Sequence, residues 1–94
     1  MPQQQLKWDD ISVQEQLDVL VFDMIKGGQW NTLESFKQNK KQLQDALASK
    51  KQIWEQNKLE RSAQQAHIET CKFYVEHDTI AQNMRIHLLN LLNK

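Results

Sequence analysis

His67 and Cys71 stand four residues apart in a stretch without glycine or proline, so a helix would place imidazole and thiol on one face, as a metal site requires. Two ligands make an incomplete site, and along the chain neither a neighbouring carboxylate nor a second His-x-x-x-Cys completes it. No metal and no other cofactor is therefore expected. His77 falls with Phe73 and Met84 on an apolar helical face and reads as a buried, hydrogen-bonded histidine. Carboxylates occur at Asp9-Asp10, Glu76 and Asp78, but no nucleophile, paired acid and base, or phosphate-cradling glycine loop emerges around them. Gly27-Gly28 reads as a helix stop, and the chain as a protein without catalytic activity.

The elements that must position these side chains are helices. Glycine occurs only as Gly27-Gly28 and proline only as Pro2, while glutamine, lysine, leucine, alanine and glutamate fill the remainder. No run of β-branched residues alternates over a strand length, and no repeat is present. Ser12-Val13-Gln14-Glu15 is a capping box that starts the first helix. Val13, Leu17, Leu20, Val21 and Met24 share one side of it, while Val19 and Phe22 point away, and Gly27 or Gly28 ends it. A second helix starts near Trp30 or Asn31, carries Leu33, Phe36, Leu43, Leu47 and Trp54 as a stripe, and turns somewhere between 48 and 58. Asn57-Lys58-Leu59-Glu60 resembles a fresh capping box, so a third helix is expected from about Lys58 to Leu92. The fold expected is all-α: an antiparallel three-helix bundle, a short helix followed by a long helical hairpin. Residues 1–11 read as a leader and residues 12–94 as a single helical domain.

Composition narrows the function class. The 94 residues are enough for one domain, and two independent cores are not expected in a chain of this size. Twelve basic and twelve acidic residues cancel, which removes the electrostatic case for nucleic-acid or anionic-membrane binding. The local basic groups Lys37-Lys40-Lys41 and Lys50-Lys51 read as solvated helix faces. A single cysteine, no signal peptide at the amino terminus and no apolar run of membrane-spanning length point to the cytoplasm.

On one continuous third helix the main apolar stripe is Leu59, Ala63, Ala66, Phe73, Ile80, Ala81, Met84, Leu88 and Leu91, which faces the other two helices. Ile68, Cys71 and Val75 then form a second stripe on the opposite side, continued by Leu89. Such a stripe is either covered, by Trp8 of the leader or by a homodimer partner, or left exposed as a patch for another protein. The exposed-patch reading makes Ile68, Cys71 and Val75 partner-binding residues. Phe36, Leu43, Phe73, Ile80 and Met84 join them, because aromatic and Met side chains adapt to an amphipathic helix laid in a groove.

Two segments carry a family resemblance. Lys26-Gly27-Gly28-Gln29-Trp30-Asn31-Thr32-Leu33-Glu34 after an amphipathic first helix, and Cys71 to Leu92 with Asp78, Ile80 and Arg85 before a leucine-rich end, resemble the FliT-like flagellar export chaperones. The resemblance implies a chaperone or adaptor that holds a late flagellar substrate, chiefly the filament-cap protein, before type III export. The competing expectations are a self-assembling helical structural protein and a small regulator that binds a transcription factor.

Overall fold

The first helix, α1 (Val13–Lys26), begins as its sequence dictates. Ser12 Oγ accepts the Glu15 amide at 3.2 Å and Glu15 Oε1 accepts the Ser12 amide at 3.4 Å, so each side chain satisfies a backbone donor that the helix leaves free. At the other end Gly28 takes φ +71°, with its N–H donated to Ile25 O and that of Gln29 to Met24 O. This paired closure uses the left-handed residue that glycine alone adopts without steric cost. The structure is a computed structural model that describes residues 5–57 and 59–94.

Four further α-helices follow: α2 (Trp30–Ser35), α3 (Lys40–Gln56), α4 (Arg61–Glu76) and α5 (Thr79–Leu92), with short 3-10 turns at Trp8–Asp10 and Phe36–Gln38. No strand occurs among the described residues. The all-helical class stands, but among the described residues five α-helices replace the three expected. The expected second helix is divided at Asn39, whose extended backbone and side chain, accepting the Gln42 amide at 3.1 Å, start α3 afresh. The expected start of the third helix at Lys58 lies outside the described residues, as do residues 1–4; α3 ends at Gln56 and α4 begins at Arg61.

The most consequential division is at His77-Asp78. Asp78 is extended, and its Oδ1 accepts the amides of Ile80 at 3.0 Å and Ala81 at 3.1 Å, offering the backbone a cap in place of a continuing helical turn. His77 closes α4 from the other side, its ring Nδ1 bonded to Phe73 O at 2.8 Å. A carbonyl only accepts, so Nδ1 carries the proton. His77 is therefore an exposed helix-end residue, not the buried core histidine expected from a single long helix.

Because α4 and α5 are separate helices broken at the extended Asp78, one helical wheel cannot describe both. The face that α4 buries is Gln64, Ile68, Cys71 and Val75, the stripe read as secondary; Leu59, Ala63, Ala66, Phe73 and Ile80 of the stripe read as primary are exposed. In α5 the inward positions are Ala81, Met84, Arg85 and Leu88.

Central to the packing is α1, which lies against both α4 and α5 and also touches α2 and α3. Leu17, Leu20, Val21 and Met24 join Leu33, Phe36, Leu43, Val75, Ala81, Met84 and Leu88 in the larger apolar cluster. Val19, on another side of α1, enters a second cluster with Leu6, Trp8, Ile11, Trp54, Ile68 and Cys71. The division of α1 residues into an inward and an outward set is thus replaced by burial on several sides, and it is Val13 that is exposed. The described part of the leader is bound into the second cluster by side-chain hydrogen bonds to the Leu6 main chain. Gln64 Oε1 accepts the Leu6 amide at 2.7 Å, while Gln64 Nε2 and Trp54 Nε1 donate to Leu6 O at 3.2 and 2.7 Å. Burying Gln64 is tolerable because both ends of its amide are used.

One ion pair is buried between α1 and α5, where Arg85 Nη1 donates to Asp18 Oδ1 at 3.1 Å. Asp18 Oδ2 and Arg85 Nε have no partner among the described residues. Burial outweighs the nearby guanidinium and raises the Asp18 carboxyl from 3.8 to about 6. Among the described residues no helix is long and apolar enough to cross a membrane.

Candidate functional site

The packing of α1 on α4 assembles what the sequence left incomplete. His67 and Cys71 do share a face one turn apart, with Cys71 Sγ 3.7 Å from His67 Nε2. Asp23, near the end of α1, brings Oδ1 to 3.6 Å from the same nitrogen. The three ligand atoms all lie within 4.8 Å of one another. The absence of a completing carboxylate is a property of the linear chain alone. Lys50 of α3 forms an ion pair with the other carboxylate oxygen, Oδ2, so its ammonium is a partner for Asp23 and not a freely solvated charge.

Asp23 and His67 also line a cavity of about 210 Å³, together with Lys50, Trp54, Asn57 and Gln64. The imidazole is held by aromatic neighbours, edge-on to Phe22 at 5.9 Å between ring centres and tilted against Trp54 at 6.3 Å. Cysteine, histidine and aspartate in contact bring a nucleophile triad to mind, but the geometry is not that of one. Such a relay needs thiol and carboxylate on opposite ring nitrogens, and here both approach Nε2. The thiol is also fully buried, and burial, reinforced by the charges of Asp23 and Asp18, pushes it up to about 12. A thiol so protonated is a poor nucleophile at neutral pH.

A second feature lies at the α4–α5 turn. Phe73 and Ile80 are each 65 % exposed, the two most exposed large apolar side chains among the described residues. Phe73 stacks on the His77 ring at 4.1 Å between centres and 28° between planes, which holds it in place despite its exposure. Beside it Phe22 and Tyr74 meet edge-to-face at 5.4 Å, and Lys26 Nζ stands 4.9 Å over the Tyr74 ring. Phe22, Lys26, Thr70, Phe73, Tyr74 and His77 outline an open hollow of about 460 Å³.

Comparisons with protein-family models, with curated proteins and with solved structures return no match.

The eight expected partner-binding residues are distributed unevenly. Phe36, Leu43, Val75 and Met84 are buried in the larger cluster, and Ile68 and Cys71 in the smaller. The Ile68, Cys71 and Val75 stripe is consequently core and not an exposed patch: Trp8, Leu6 and Trp54 cover Ile68 and Cys71, and the larger cluster takes Val75. Phe73 and Ile80 alone of the eight remain at the surface. Asp23, Lys50, Phe22 and Tyr74 complete the two features and were not among the candidates. Nothing local marks Asp23 as a neighbour of His67, whereas Phe22, pointing off the main face of α1, carried a visible signal.

Proposed function

We propose that this chain is a protein-binding adaptor or chaperone that receives an amphipathic helix of its partner at the α4–α5 turn. The observation that carries the reading is the pair Phe73 and Ile80, the two most exposed large apolar side chains among the described residues, which flank that turn; Val13, Ile53, Leu59 and Ile86 are exposed to a smaller extent. A pre-positioned aromatic loses little freedom when a partner covers it, and interface energy concentrates on such anchors. The hollow next to Phe73 supplies an apolar floor from Phe22 and Tyr74, and Lys26, His77 and Asp78 on its rim supply polar contacts. Burial of the apolar face of the incoming helix provides the affinity.

The resemblance of Lys26–Glu34 and Cys71–Leu92 to FliT-like flagellar export chaperones supplies the partner class: the terminal helix of a filament-cap protein, kept from premature assembly before export. The test is a pull-down in which the immobilised chain retains a filament-cap protein carrying its terminal helix and releases one from which that helix has been deleted. Equal retention of both, or of neither, contradicts this assignment. Self-assembly is the weaker reading, because the Ile68, Cys71 and Val75 stripe that would have closed a homodimer is already covered within one chain.

A further inference from the structure

We infer that Asp23, His67 and Cys71 form a zinc-binding site that ties α1 to α4. The argument begins with distance. Tetrahedral zinc holds sulfur at about 2.3 Å and imidazole nitrogen or carboxylate oxygen at roughly 2.0–2.2 Å, which sets nitrogen–sulfur and nitrogen–oxygen edges of about 3.4–3.6 Å. The corresponding edges here are 3.7 Å and 3.6 Å, and the widest separation among the three atoms is within 4.8 Å. One ion between the three atoms therefore needs movements of a few tenths of an ångström along two edges, with rotation of the Asp23 carboxylate closing the third.

The convergence of both other ligands on Nε2, which rules out a relay, is what a shared ion produces. His67 and Cys71 stand on one face of α4, and Asp23 approaches from α1, so the three donors come from two helices already packed together. Lys50 holds Oδ2 and leaves Oδ1 turned to the cluster. That is the division expected when an outer contact orients a ligating carboxylate. On binding, the ion displaces the Cys71 thiol proton to solvent, and the resulting donor set selects the metal class: a thiolate and an imidazole favour zinc over calcium or magnesium, which take oxygen ligands. Cys71 is fully buried, whereas Asp23 and His67 are half-buried and open on the cavity of about 210 Å³, so an ion can enter from that side. The fourth position faces the same cavity and takes water or a donor from outside the chain.

The experiment uses the full chain, freed of metal with a chelator, and titrated first with cobalt(II) chloride and then with zinc chloride. One equivalent of cobalt should produce a thiolate-to-metal charge-transfer band and the visible bands of a tetrahedral centre, and one equivalent of zinc should abolish both. His67→Gln should lose the bands and weaken zinc binding about a hundred-fold or more, beyond the 10–100-fold typical of changes outside the ligand shell. Zinc should raise the melting temperature of the wild type and leave that of His67→Gln unchanged. Circular dichroism reports whether the variant keeps its helices; should it not, Asp23→Asn provides the same comparison at a side chain of equal size. Absence of the thiolate band in the wild type overturns the inference, and so does equal zinc affinity in wild type and a folded ligand variant. Either result would leave Lys50 as the cationic partner of Asp23 and would not touch the reading of the α4–α5 turn.

Discussion

The buried pair Asp18–Arg85 shows how one side chain couples the fold to pH. The Asp18 carboxyl titrates at about 6 in the native protein against 3.8 ordinarily, because loss of water costs its charged form more than Arg85 returns. A raised acid pKa means that the native state holds a proton that the unfolded state has released. This contribution is complete below the unfolded value and is lost as pH rises through the folded one. Roughly two pH units at about 1.4 kcal/mol each give about 3 kcal/mol lost between about pH 4 and pH 7. Asp18→Asn, which imitates the protonated form, should match the wild type near pH 4 and exceed it by about that amount near pH 7 in urea denaturation followed by tryptophan fluorescence. A difference that does not change across the window would contradict the assignment. Asp18 had a visible sign in the sequence, a carboxylate inside the run Leu17-Asp18-Val19-Leu20-Val21, but its partner Arg85 belongs to a distant helix and only the packing reveals it.

At the scale of the element, the signals that could be read were the ones written in adjacent residues. Ser12 and Glu15 form the capping box, and Gly28 provides the left-handed closure, because both devices act within a single turn. Asn39 and Asp78 act equally locally, yet each sits inside a long helix-favouring stretch with no glycine or proline to announce a stop. A capping side chain without a breaker is easily taken for a tolerated polar residue. Missing Asp78 had a large effect, since one wheel carried across the turn exchanged the buried and exposed faces of α4. Asp78→Ala should cost about 1 kcal/mol, the usual value of an N-cap, and Asp78→Asn much less, as judged by thermal unfolding. Equal losses in the two variants would show that the charge and not the cap matters.

For the whole molecule, the consequence of this topology is a helical body with two apolar clusters joined through α1. The second exists because Leu6, Trp8 and Ile11 return to cover Ile68 and Cys71, and Trp8 packs on Trp54 at 5.6 Å between ring centres. The sequence marked Ile68, Cys71 and Val75 as a stripe in need of cover and offered Trp8 as one candidate. Choosing between Trp8 and an outside partner required knowledge of where a distant segment lies. Trp8→Ala should destabilise the protein by about 3–5 kcal/mol, the cost of emptying a large aromatic site, in urea unfolding followed by circular dichroism. A loss below about 1 kcal/mol would show that the leader does not contribute to the core.

With that stripe enclosed, the binding reading rests on Phe73 and Ile80, and there it is open to direct measurement. Fluorescence anisotropy of a labelled filament-cap terminal helix, titrated with wild type and with Phe73→Asp of unchanged helical content, tests it. The account predicts saturable one-to-one binding that Phe73→Asp weakens about 30-fold or more, the loss of a hot-spot anchor. Equal affinity of the two proteins for the helix, or no binding by either, would contradict it.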